Sequence, residues 1–132
     1  MTNRILCTVA VLVHLVINLL HGWAHEELGV GLTTWQTIYV INVIFFAPLI
    51  AMLLLWTRYV RLGLLLLVVS MAGSLVFGVL YHFLIFSPDH IFYIPPGDAA
   101  GTFRLTAFLL ALTELFGVVA GWVGLRRLLI KS

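Results

Sequence analysis

The sequence predicts an all-α integral membrane protein, a bundle of four spanning helices, and three observations predict it. Of its 132 residues 63% are hydrophobic and only 9% are charged, where soluble domains run at roughly a quarter charged. Mean hydropathy is +1.17, too high for a soluble globule of this size to bury. Apolar runs of about the 20 residues that a bilayer requires occur four times, separated by turn-forming or charged segments.

The first span is expected over residues 5–24, after Arg4 and before Gly29-Val30-Gly31, whose glycines suit a helix C-terminal cap. This N-terminal run also has the outline of a signal peptide. Gly22-Trp23-Ala24 makes a poor cleavage site, however, and His14 and Asn18 have no use in a discarded leader, so the segment is expected to be retained. Cys7, in its first turns, is expected to be a packing residue, and as the single cysteine it excludes an internal disulfide framework. The second span covers residues 34–56, with Pro48 expected to kink or loosen it near its middle. Arg58-Tyr59-Val60-Arg61 leads into the third, residues 62–86, and the segment Ser87 to Asp98 separates that from the fourth, residues 103–125. Small residues four apart, Ser74 with Gly78 and Gly117 with Gly121, favour close helix approach. The whole chain, 1–132, reads as one domain with no internal repeat.

Basic residues orient this arrangement. Arg4, Arg58, Arg61, Arg126, Arg127 and Lys131 share one side of a four-span topology, whereas Glu26, Glu27, Asp89 and Asp98 share the other with Arg104. The positive-inside rule then puts both termini in the cytoplasm, in a bacterial-type inner membrane. Trp23, Trp35, Tyr81 and Phe92 fall near the outer interface, and Trp56, Tyr59 and Trp122 near the inner one. Short connections make sequential helices antiparallel, an up-down-up-down bundle. A net charge of +2 gives no reason to expect nucleic acid as a partner.

Within the first span, His14, Asn18, His21 and His25 fall within about 60° of one another on a helical wheel, and Trp23 points the opposite way. Ionisable groups inside a span face the bundle interior or water, so this stripe faces inward. Counting residues from the basic ends gives the depths. His14 and Glu114 share mid-membrane height, with Asn18 and Asn42 close by, and these four are expected to form a buried polar network. Near the outer end His25 and His82 lie level, His21 sits one turn deeper, and Glu26, Asp89 and His90 flank them.

Imidazoles with carboxylates suit zinc, copper or iron. An i, i+4 pair such as His21 and His25 presents two rings on one helix face, and bundles build metal sites from facing helices in this way. The expected function is therefore transition-metal binding, for redox chemistry or metal handling, at His21, His25, His82, Glu26, Asp89 and His90. The site rests on depth and spacing, because HExxH, paired Glu-x-x-His and CxxC are all missing from the sequence.

Three other readings stand beside it. Haem b between axial histidines is one. Proton conduction from the outer mouth to His14 and Glu114 is another, against which the inner half offers only Thr8, Ser70 and Thr113. The third is an accessory or structural subunit of a larger membrane complex, or a homo-oligomer, docking through Ile91 to Asp98. Nucleophilic catalysis has no support, because Gly-x-Ser-x-Gly and a glycine-rich phosphate loop are both missing.

Overall fold

The computed structural model describes residues 2–131, without the side chains of Thr2 and of Lys131, one of the orienting basic residues. The described chain is helical, without strands. Helix α1 is Thr2–Glu27. Helix α2 is Thr34–Leu55, α-helical at both ends with a wider π-helical stretch, Val40–Phe46, between. Helix α3 is Val60–Leu84, closing in a π-helical turn over Leu80–Leu84. Helix α4 is Ala100–Lys131. All four are long and apolar enough to cross a membrane, and large apolar side chains such as Leu19, Leu53, Val69 and Leu112 cover their outer surfaces.

The helices outrun the predicted spans at several ends. His25, Glu26 and Glu27 belong to α1 rather than to a loop, and α4 begins at Ala100 and continues past Leu125. An apolar run bounds the part that must lie in hydrocarbon, whereas a helix continues for as long as its backbone groups stay paired. The disturbance expected at Pro48 is found just before it. Ala47 donates its N–H to the carbonyl of Asn42, five residues back, and the widened turn eases the conflict between a proline ring and the preceding turn.

Helix α4 packs along both α1 and α3, and α3 also packs along α2. Side-chain contacts give the register. Asn3, His14 and His21 of α1 meet Arg127, Glu114 and Thr106 of α4 in turn. Gly117 and Gly121 bring α4 close to α3, for a Cβ there would lie 2.9 Å from Met71 Cγ and 2.8 Å from Val68 Cγ2. The predicted Gly117–Gly121 approach is therefore present. Gly78, by contrast, is not crowded: a Cβ there would stand in ordinary van der Waals contact, 3.8 Å from Glu114 Oε2 and His82 Cδ2.

Two apolar cores divide the length. Towards the end carrying the termini, Cys7, Val11, Ala51, Leu55, Leu64, Leu67, Met71 and Leu125 pack together. Towards the other end, which carries the two longer loops, Ala24, Leu28, Val30 and Phe103 pack with Ile91, Ile94 and Ala99 of the loop between α3 and α4. Along α2, α1 touches chiefly the segment Ala47–Leu55. Nearer the loop end the two helices part, and a cavity of about 480 Å³ opens between them.

Candidate metal centre

Three imidazoles converge at the loop end of that cavity. His21, His25 and His82 each offer a ring nitrogen, all within 4.8 Å of one another. His21 and His82 are buried and His25 nearly so. Helix α1 supplies two of the rings one turn apart, stacked edge to face with centroids 4.8 Å apart. His82 arrives from the π-helical end of α3, where Ile85 donates its N–H to the carbonyl of Leu80. Phe103, fully buried on α4, lies against all three rings at 4.6–5.5 Å.

The second nitrogen of each ring shows how the cluster is set. Nδ1 of His25 donates to the carbonyl of Val30 at 3.0 Å, and Nδ1 of His82 donates to the carbonyl of Asp89 at 3.0 Å. A carbonyl can only accept, so both rings carry their proton on Nδ1. Nδ1 of His21 lies 2.8 Å from Thr106 Oγ1. That hydroxyl can spend its own proton on Thr102 O at 2.7 Å or Phe103 O at 3.1 Å, so its oxygen is free to accept from His21. When each neutral ring turns its proton outward in this way, three Nε2 lone pairs face inward. Metal-binding histidines show this arrangement, with the outer hydrogen bond fixing tautomer and ring angle.

Local sequence builds the outer acceptors. Glycine at position 29 has φ of 63°, the left-handed geometry of a helix terminus. Around it Val30 donates its N–H to His25 O and Gly29 donates to Glu26 O, the paired bonds of a Schellman cap. That cap turns the carbonyl of Val30 back over the His25 ring. After α3, Ser87 Oγ donates to Tyr81 O and accepts from the N–H of Asp89, which folds Asp89 back over His82.

Asp89 lies beside the cluster. Its Oδ1 lies 3.1 Å from His25 Nε2 and 3.5 Å from His82 Nδ1. Neither contact is aligned as a hydrogen bond, and among the described residues both carboxylate oxygens are buried without a donor. His82 directs its Nδ1 proton to the Asp89 carbonyl, and a neutral His25 with its proton on Nδ1 presents a lone pair to the carboxylate. A buried, unpartnered carboxylate beside imidazole lone pairs is costly unless a cation sits among them. Nε2 of His21 and Nε2 of His82 are 3.2 Å apart. Two nitrogens sharing one tetrahedral zinc at its usual bond length stand about 3.3 Å apart. Three imidazole nitrogens without sulfur suit zinc, copper or iron.

Comparison with known proteins adds nothing to this geometry: no family model, curated protein or solved structure matches the chain.

The remaining sequence candidates divide. Glu26 is exposed at the cavity rim, outside the histidine group. His90 is buried but has no free nitrogen, because Nε2 donates to Phe83 O at 3.1 Å and Nδ1 accepts from the N–H of Phe92 at 3.3 Å. It shapes the loop rather than joining the cluster. His14 and Glu114 do meet, Nε2 to Oε1 at 3.3 Å, both buried. Asn18 lines the cavity one turn away. Asn42 does not join them. It is exposed on α2 and donates to the carbonyl of Ile38 in its own helix at 2.8 Å, so it is satisfied locally. Thr106 was not anticipated from sequence, although the depth count could have found it: it lies eight residues from Glu114, as His21 lies seven from His14.

Proposed function

We propose that this protein is a four-span membrane protein that binds one transition metal ion, zinc, copper or iron, through Nε2 of His21, His25 and His82 and the carboxylate of Asp89. The observation that carries this reading is the convergence of three imidazole nitrogens within 4.8 Å of one another, beside a buried carboxylate that has no hydrogen-bond partner among the described residues. The ion would link α1, α3 and the loop after α3. One side of the cluster borders the cavity, so the ion can meet a small molecule there, as metal handling or redox chemistry requires.

In the bilayer, both termini would face the cytoplasm of a bacterial-type inner membrane, following the basic residues. The metal centre would then lie near the outer face, in an up-down-up-down bundle. Lipid is the partner of the apolar outer surface, and assembly into a homo-oligomer or a larger complex is compatible with it. Haem fits less well, because the rings of His21 and His82 already touch with their Nε2 atoms 3.2 Å apart, and a porphyrin plane cannot pass between them. Proton conduction fits less well because the core beyond His14 and Glu114 is apolar, and the buried hydroxyls of Ser70 and Ser74 are spent on Leu67 O and Ser70 O in their own helix.

Elemental analysis of mildly purified protein, with a visible spectrum, tests the proposal. The expected result is one zinc, copper or iron per chain, lost on His21→Ala or His82→Ala and reduced on His25→Ala or Asp89→Asn. His14→Ala should leave the metal in place. Metal-free wild-type protein that also fails to take up added zinc or copper would refute the site, and a Soret band would replace it with haem.

A further inference from the structure

The cavity continues beyond the histidines, towards the middle of the bundle, and its far end has a polar wall of its own. Asn18 of α1 and Glu114 of α4 stand there among Val40, Ile44 and Leu110. Glu114 gives Oε1 to His14, while Oε2 has no hydrogen-bond partner among the described residues and lies beside Gly78, which also lines the cavity. The Asn18 amide likewise has none, although neighbouring polar side chains such as Asn42 and Ser74 are satisfied within their own helices. Two polar groups left open at the end of an apolar chamber are the pattern of a small-molecule site.

We infer that this chamber binds a neutral, lipid-soluble molecule carrying a hydroxyl group, taken up sideways from the bilayer between α1 and α2. The volume, about 480 Å³, is that of a small-ligand pocket. The hydroxyl donates to Glu114 Oε2 and accepts from the Asn18 amide, and the apolar body lies against Val40, Ile44 and Leu110. An apolar-bodied neutral ligand is favoured over a hydrated cation because the rest of the wall around Asn18 and Glu114, from Val40, Ile44, Ala107, Leu110 and Ala111, offers no further ligating oxygen. The lateral opening follows from the packing: α1 meets α2 chiefly over Ala47–Leu55, and nearer the loops Gly22 of α1 and Val40 of α2 border the cavity instead of each other. A Cβ at Gly22 would meet nothing within 4 Å, so no side chain closes that gap. The chamber shares its loop end with the histidine cluster, but Asn18, Glu114, Val40, Ile44 and Leu110, which would hold this ligand, are not among the proposed metal ligands.

The test uses a fluorinated naphthol and its methyl ether as probes, followed by fluorine NMR on the full chain in nanodiscs, with empty nanodiscs as reference and metal content measured in parallel. The naphthol should give a protein-dependent bound signal, and the ether should bind at least tenfold more weakly because it cannot donate to a carboxylate. Gly22→Leu should close the opening and weaken the naphthol at least tenfold with metal content unchanged. Ala111→Phe, filling the chamber from α4, should do the same, so the result does not hang on one variant. Naphthol signals identical with and without protein, equal binding of naphthol and ether, or indifference to both filling variants would each overturn the inference. Metal loss in the wild type would count against the metal centre alone.

Discussion

The two halves of this bundle solve the same packing problem in opposite ways. Towards the termini, α1, α2, α3 and α4 close on apolar side chains, with Leu55, Leu67, Met71 and Cys7 fully buried. Towards the loops the same helices separate around a cavity and hold five buried or nearly buried ionisable groups, His21, His25, His82, Asp89 and His90. The packed half needs nothing but contact. The open half needs every proton placed, and it recruits backbone from the loops to do so: Val30 O, Asp89 O and Phe83 O each fix one imidazole. A bundle held only by apolar contact has no reason to separate its helices or to bury Asp89 without a donor. The contrast therefore sets the loop half, with its buried histidine cluster, apart from the packed one, and it is there that the proposed metal would bind.

The largest effects should come from a matched pair of truncations, one in each half. Leu67→Ala removes a fully buried side chain from the packed core and should destabilise the protein by about 2–4 kcal/mol, with metal content intact. His82→Ala should abolish stoichiometric metal and with it any rise in thermal midpoint on adding zinc, since a ligand stabilises only the state that binds it. Thermal unfolding of both variants with and without added zinc checks the contrast. An unchanged zinc-dependent rise in His82→Ala, or its loss in Leu67→Ala, would break the division between halves.

A smaller effect tests whether tautomer control belongs to the open half. Thr106→Val keeps the shape but removes the acceptor for His21 Nδ1–H at 2.8 Å. Metal affinity should fall about 10–100-fold, the usual cost of losing an outer partner of a ligating histidine, and Thr106→Ser should restore it. Competition with a chelating dye measures both. If Val and Ser behave alike, the hydroxyl is not what orients the ring.

How much of this was legible in the sequence depends on what a helix fixes. Rise per residue gives height, so the meeting of His14 with Glu114 and the common level of His25 and His82 could be read by counting from the basic ends. Height does not give direction, and Asn42, at the right depth on α2, faces outward and bonds to its own helix. Loop side chains are harder still. Asp89 and His90 are neighbours in sequence, yet the Ser87 turn aims Asp89 at the cluster, while the ring of His90 is spent on Phe83 and Phe92. The outer acceptors were invisible for another reason: two of the three are backbone carbonyls, which every residue has, and only the fold selects Val30 and Asp89. The cavity could not be foreseen, because it depends on how far α1 and α2 separate.

The smallest expected effect concerns one of those carbonyls. Gly29→Ala places a Cβ on a backbone at φ 63°. No neighbouring atom lies within 4 Å of that position, so the cost is conformational strain of about 1–2 kcal/mol rather than a clash. The strain acts through the cap. Easing it would move the carbonyl of Val30 off His25 Nδ1, so the variant should release metal several-fold faster, with only a small loss of thermal stability. Gly22→Ala, within α1 and also free of neighbours, has no left-handed backbone to strain. It should leave both stability and metal release near wild type. Chelator-driven release followed by stopped flow compares the two variants. Equal rates would show that His25 is held by its rotamer and packing on Phe103, and that the cap at the end of α1 belongs to the fold alone.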